Sequence, residues 1–212
     1  MKKDQKDKIE FIFDYLKELY PNPKTELDYS TDFQLLVAVI LSAQTTDKQV
    51  NKVTKNLFKK TKKPEDILIM GFEKFKKTIS SVNYFNGKAK HIYETAKKLV
   101  EIWKIPDDLI ELQKLPGVWI KTAKVILHVL YDMPFIAVDT HVHRVSNRLW
   151  LVKTNEPEKT SELLEKIVPD KYKPIAHHSL ILFGRYLCKA RNPMCDECGL
   201  KSICKYYKGL KK

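Results

Sequence analysis

A globule built almost wholly of α-helices is what this sequence predicts, and three observations carry the expectation. Apolar residues recur at helical spacing from near the N-terminus to Leu187. No stretch alternates apolar and polar residues as a half-buried strand would. The intervals between periodic segments are short, with no low-complexity linker and no long-period repeat. At 212 residues the chain can bury one substantial core or two small ones.

The elements follow in order. Ile9, Ile12, Phe13, Leu16 and Leu19 form the first stripe, which Pro21 and Pro23 stop. Thr31 or Asp32 can cap the next helix, Phe33–Ser42, whose apolar density marks it as a buried element. Val50, Val53 and Leu57 define a third stripe, and residues 67–79 read as two short helices around Gly71. Ala89, Ile92, Ala96, Leu99 and Trp103 give a longer helix ended by Pro106. Leu109–Leu112, Ile120–Tyr131, Thr140–Leu149, Ser161–Ile167 and Ile175–Leu187 complete the set. Trp103 and Trp150 read as core residues.

Charge narrows the partners. A net charge of +13 predicts attraction to a polyanion, because Lys and Arg release condensed counterions from phosphates. The runs Lys59–Lys63 and Lys208–Lys212 are equally compatible with a solvated surface. The longest apolar run, Leu35–Leu41, is far too short to cross a bilayer, so no membrane partner is expected. The opening residues MKKDQKDKIEF have no apolar signal core, which predicts a cytoplasmic protein.

All four cysteines fall in one short tract, Cys188-x6-Cys195-x2-Cys198-x5-Cys204. Four clustered thiols suit one four-ligand metal site, zinc or an iron–sulfur cluster. Zinc sites usually draw on two short Cys-x-x-Cys knuckles, and only Cys195–Cys198 makes one. The wide gaps let a loop wrap a bulkier object and favour a 4Fe–4S cluster. Two disulfides are the alternative, and they need an oxidising compartment.

The chemistry sits mid-chain. Leu115-Pro116-Gly117-Val118 reads as a tight hairpin between two helices, and the second helix opens with backbone N–H groups, Lys121 and Thr122 suited to a phosphate oxygen. Asp139 falls where an N-cap belongs, at the head of Thr140–Leu149. A capping Asp is a common structural feature. Its pairing with Lys121, 18 residues upstream and also in a helix first turn, gives it further interest. Should those helix starts converge, an amine and a carboxylate meet beside a phosphate site. A deprotonated amine can attack an electrophilic sugar carbon and form a Schiff base; the carboxylate can stabilise the developing cation or take a proton.

Residues Leu115–Ala123, Val138–Val145 and the four-cysteine tail together resemble the endonuclease III branch of the helix–hairpin–helix DNA glycosylases. Leu41–Asp47, Tyr84–Ala89, His177-His178 and Gly184-Arg185-Tyr186 extend the similarity, which runs from about Glu10 to Cys204. The resemblance implies an all-α fold in two lobes: a six-helix barrel lobe over 25–134, with the hairpin motif at about 109–131, and a cluster lobe from 1–24 plus 135–212. It implies a 4Fe–4S loop over 188–204 held by Cys188, Cys195, Cys198 and Cys204. The implied activity is that of a bifunctional glycosylase and lyase of base excision repair. It would remove oxidised pyrimidines from double-stranded DNA and cut 3′ to the abasic site through a lysine Schiff base. Lys121 matches the nucleophile and Asp139 the catalytic aspartate. Gln44 matches the residue that fills the space left by the extruded base, and Tyr84 falls at the wedge position. A base must leave the stack to be reached, so a plug and a wedge are physically required. A monomer is expected.

One departure concerns the hairpin. Where the family pattern reads Leu-Pro-Gly-Val-Gly-Arg/Lys-Lys, this chain places Trp119-Ile120 before Lys121. Gly117 keeps the turn, but Trp119 brings a ring to a phosphate-facing surface and Ile120 removes a charge. Lys189 and Arg191, in the loop between Cys188 and Cys195, are candidate phosphate contacts. His141, His143, His177 and His178 read as orienting or packing groups. Two other functions compete: a non-catalytic damaged-DNA-binding module with a degenerate hairpin, and a glycosylase for another lesion such as mismatched thymine or uracil.

Overall fold

The computed structural model describes residues 3–210 and is all-helical, with no strand among them. Lys211 and Lys212, part of the C-terminal lysine run, lie outside the described residues. The chain divides into two compact units, Glu26–Tyr131 and Met1–Thr25 with Asp132–Lys212.

The unit over Glu26–Tyr131 holds α2 (Asp32–Ser42), α3 (Asp47–Leu57), α4 (Pro64–Met70), α5 (Phe72–Thr78), α6 (Phe85–Ile102), α7 (Leu109–Gln113) and α8 (Ile120–Tyr131). Thr31 is the residue that caps α2, its side chain accepting from Gln34 N. Leu35 through Leu41 are all buried, so α2 is enclosed, and α3, α6 and α8 pack around it. One polar side chain goes in with it. Gln34 Nε2 donates to Phe58 O and Thr61 O, each at 2.8 Å, while its Oε1 accepts from the Ser30 amide and hydroxyl. A buried amide with every valence met costs little.

The other unit is built from α1 (Lys3–Leu19), α9 (Thr140–Arg148), α10 (Pro157–Ile167), α11 (Lys173–Tyr186) and a short α12 (Lys205–Leu210), with a 3-10 turn at Asp170–Tyr172. Ile9, Ile12, Phe13 and Leu16 line one face of α1 and enter a core with Val142, Val145, Leu164, Leu180 and Phe183. Tyr172 stacks on Phe13 at 5.5 Å, and its hydroxyl donates to Asp14. Lys8 Nζ donates to Leu149 O at 2.7 Å, fastening α1 to the end of α9. Gly184 lets α11 approach α9 closely, since a Cβ there would sit 2.9 Å from His141 Cβ.

Three expectations need correction. Trp103 is 85% exposed and Trp150 43% exposed, so neither is a core residue. Both follow the last turn of a helix in left-handed backbone, φ 62° and 57°, which swings each ring off the stripe that the helical repeat would continue. Trp103 also ends α6 itself, three residues before Pro106. Beyond Leu187, α12 adds a short helix that the cysteine spacing did not suggest.

Candidate active site and nucleic-acid interface

In the unit over Glu26–Tyr131, α7 starts at Asp108, whose side chain accepts from Ile110 N and Glu111 N. The chain then turns through Leu115–Val118, with Val118 N donating to Leu115 O at 3.1 Å. Gly117 takes φ 78°, and a Cβ there would lie 2.8 Å from His91 Cβ. Only glycine meets both the left-handed backbone and the close approach. From α6, Thr95 Oγ1 donates to Pro116 O at 2.8 Å and Lys98 Nζ to Lys114 O at 2.9 Å. The hairpin backbone is therefore clamped by α6. On that frame Trp119 is 72% exposed, Ile120 and Lys121 are exposed, and Thr122 is buried. Trp119 O accepts from Ala123 N, so the residue joins the first helical turn while its ring faces solvent.

Two further loops of this unit carry Gln44 and Tyr84. Both residues are exposed and both adopt left-handed backbone, φ 54° and 57°. The loops are tied together, because Asn83 Nδ2 donates to Gln44 O at 2.7 Å. Below them Lys88 is buried at 7% exposure, and its Nζ donates to Leu41 O (2.8 Å), Ala43 O (2.5 Å) and Thr45 Oγ1 (3.1 Å). Burial lowers the Lys88 pKa to about 8.

In the other unit Asp139 caps α9, with Oδ1 accepting from Val142 N at 2.8 Å. His143 Nδ1 contacts Thr160 Oγ1 and His177 Nδ1 contacts Ala137 O, each at 2.8 Å. These histidines hold neighbouring elements. Further along α9, Arg144 donates to Cys188 O and to Gly184 O at 2.7 Å. Arg148 donates to Lys189 O at 2.6 Å and Ala190 O at 3.1 Å, and its guanidinium lies 4.0 Å over the Tyr206 ring. The helix headed by Asp139 thus grips the cysteine loop with two arginines.

All four cysteines are free thiols and line one pocket together with apolar groups such as Leu149 and Phe183. Among the described residues no three His, Cys, Asp or Glu side chains converge closely enough to hold a single metal ion. Four soft thiol donors around one pocket are the donor set that a thiolate-bound metal or cluster requires. Burial pushes the Cys195 and Cys198 thiols up, and neighbouring cysteine sulfurs add to the shift. Those protons must leave when a metal binds. Lys189 and Arg191 are exposed on the same loop.

Sequence reasoning gave no role to Lys88, Arg144 or Arg148. Lys88 did leave a trace: it sits on the apolar stripe continued by Ile92, Thr95 and Leu99, where a cation must be buried and paired.

Comparison with known proteins fits this geometry. Residues 37–170 match the family model described as HhH-GPD superfamily base excision DNA repair protein. The chain is 52% identical to endonuclease III of Rickettsia conorii over 202 residues, covering 94% of this chain and 96% of that protein. It is 46% identical to endonuclease III of Bacillus subtilis, covering 93% and 91%. Among solved structures, a trapped endonuclease III–DNA covalent intermediate superimposes with TM-score 0.91 at 40% identity, covering 98% of this chain and 99% of that one. A thermostable thymine-DNA glycosylase shares the fold, with TM-score 0.83 at 24% identity over 96% and 98% of the two chains. No described helix is long and apolar enough to cross a membrane. With the hairpin, the capping aspartate and the cysteine tract carried on a shared all-α fold, the chain belongs to the endonuclease III family of the HhH-GPD base excision DNA repair superfamily.

Proposed function

We propose that the protein is a bifunctional DNA glycosylase and lyase that removes oxidised pyrimidines from duplex DNA and cuts 3′ to the resulting abasic site. The observation that carries this reading is Lys121. It is exposed in the first turn of α8, directly after a hairpin whose backbone is fixed by α6. A relative with 40% identity was trapped as a covalent intermediate on DNA, which this amine would explain here. Lys121 Nζ attacks the sugar C1′ as the C1′–base bond breaks; the base leaves with the bonding pair and takes up a proton. The C1′–O4′ bond then opens, O4′ taking the second proton of the amine, to leave an open-chain Schiff base; this loses a C2′ proton, and β-elimination expels the 3′ phosphate. Water then releases Lys121. Asp139 stabilises the positive charge that builds on the sugar, or takes a proton, while capping α9.

Around that chemistry, Gln44 fills the space of the extruded base and Tyr84 wedges the stack. Gly117, Trp119 and Thr122 meet one stretch of backbone at the hairpin, and Lys189 with Arg191 meets phosphates at the cysteine loop. Cys188, Cys195, Cys198 and Cys204 would hold a 4Fe–4S cluster, which when bound supplies a rigid node for that loop. The protein works as a cytoplasmic monomer.

Borohydride trapping on an abasic duplex tests the assignment. Lys121→Gln abolishes both trapping and strand cleavage while leaving DNA binding largely intact. Asp139→Asn keeps the cap, since Asn caps about as well as Asp, and slows turnover by about 100-fold or more. Trapping by Lys121→Gln would identify another amine as nucleophile. Binding without any trapping by the unmodified chain would make it a non-catalytic module.

A further inference from the structure

We infer that Lys88 is a positioning residue for base extrusion, tying the Gln44 loop to the Tyr84 turn so that plug and wedge enter the duplex as one piece. The inference rests on the roles proposed above for Gln44 and Tyr84.

Lys88 holds both loops by itself. Its backbone N–H donates to Tyr84 O at 3.1 Å, inside the first turn of α6. Its ammonium reaches the other way, to Leu41 O and Ala43 O at the end of α2 and to Thr45 Oγ1, on either side of Gln44. An ammonium has three protons, and here three oxygens meet them. None of the three oxygens belongs to a carboxylate, so the cation is held by dipoles. Two are carbonyls at a helix C-terminus, where the partial charge is negative. With a pKa of about 8, the ammonium persists at neutral pH and keeps all three donors in use.

Independent contacts run in parallel. Asn83 Nδ2 donates to Gln44 O, and Gln49 Nε2 donates to Ser81 O at 3.2 Å and Ser81 Oγ at 2.9 Å. Gln44 and Tyr84 both adopt left-handed backbone that a non-glycine residue keeps only when its surroundings enforce it. The surroundings of each residue include the other's loop. A brace that couples two strained, exposed side chains has a measurable signature: the two act as a unit, and losing both costs less than the two separate losses combined.

The test is a double-mutant cycle on single-turnover excision of thymine glycol from duplex DNA. Gln44→Ala, Tyr84→Ala and the pair are each made with Lys88 and with Lys88→Met, which keeps an unbranched stem but no donor. With Lys88 present, the paired variant should be about tenfold faster than independent losses predict; in the Lys88→Met background that excess should fall to about twofold or less. Lys88→Met should itself slow duplex excision about tenfold, yet change borohydride trapping on a single-stranded abasic site by less than about twofold. A single strand has no stack to wedge and no void to plug. Thr45→Val removes one acceptor without deleting the lysine and should weaken the coupling partially, which covers a failure of Lys88→Met to fold. Equal coupling in all backgrounds overturns the role of Lys88. If Gln44→Ala and Tyr84→Ala each leave duplex excision unchanged, it is the plug-and-wedge assignment that fails.

Discussion

The hairpin and the cysteine loop are both short, both proposed to face DNA, and held in opposite ways. At the hairpin, α6 supplies Thr95 and Lys98 to backbone carbonyls and His91 to the space above Gly117, so the turn is fixed by neighbours within its own unit. At the cysteine loop, Arg144 and Arg148 reach the carbonyls of residues 188–190, but the four thiols are only gathered around a pocket and two of them are pushed up by burial. One region is held by hydrogen bonds from a neighbouring helix; the other combines such bonds with four thiols proposed to hold a cluster. The difference explains how the hairpin can carry Trp119-Ile120. A turn clamped through its backbone tolerates altered side chains that point to solvent, whereas the loop, on the proposed cluster reading, would lose an anchor with any of its four sulfurs.

The largest effect that would sharpen this contrast is Cys198→Ser. The intact chain, purified without oxygen, should be yellow-brown with about four irons. The variant should lose iron, loosen residues 189–194, and bind duplex about 100-fold more weakly, as if two phosphate contacts of about tenfold each were gone. Trapping at saturating protein should survive, because Lys121 sits on the self-held region. A colourless chain with stoichiometric zinc would break the comparison at its base.

Next in size is Lys189→Ala with Arg191→Ala, read as the dependence of duplex affinity on salt. The logarithmic slope should become shallower by about one to two units. An unchanged slope would mean the loop does not touch phosphate.

Trp119→Gly with Ile120→Arg should then tighten binding to damaged and undamaged duplex alike by about tenfold, roughly 1.4 kcal/mol for one added phosphate contact. The melting temperature should barely move, since the clamp from α6 is untouched. Weaker lesion binding in this variant would show that the indole contributes to recognition.

A last effect, on stability rather than on binding, is a pH dependence at Lys88. Its folded-state pKa is about 8 against an ordinary 10.5, so between those values the unfolded chain binds more protons. Stability of the unmodified chain should rise relative to Lys88→Met as pH climbs through that window, and the gap should be flat below pH 8. Melting temperatures of the two chains across pH 7–10 would show it. A gap moving the other way would mean the ammonium is favoured by its surroundings.

The sequence made the helices legible because their burial is regular. Ile9, Ile12, Phe13 and Leu16 fall on one face, and Thr31 and Asp139 sit where helix starts require a cap. It misled where the period ended. Trp103 continues the stripe of α6 on paper, yet a left-handed residue closes the helix at that point and turns the ring outward. Nothing in residue spacing marks that reversal, since the position carries no glycine. At the candidate site, Lys121 lies in the first turn of α8 and Asp139 at the head of α9, positions that motif and capping logic could reach. The braces were harder to see. Lys88, Arg144 and Arg148 act through carbonyls, and a carbonyl is present at every residue, so no side-chain pattern advertises which lysine or arginine will find one.

The three tryptophans of the chain, Trp103, Trp119 and Trp150, all lie at the surface. Trp103 and Trp119, at 85% and 72% exposure, should already fluoresce in the native protein much as indoles in water, so unfolding should shift their emission little. What emission can report instead is docking. Trp119 sits on the hairpin, two residues before the proposed nucleophile, while Trp103 follows α6 and Trp150 lies under Lys205 at 3.1 Å from its ring. Quenching on addition of DNA that disappears in a Trp119→Phe chain would make the hairpin's anomalous residue an optical marker of engagement. The departure from the family pattern thus gives the protein a built-in probe beside its proposed nucleophile.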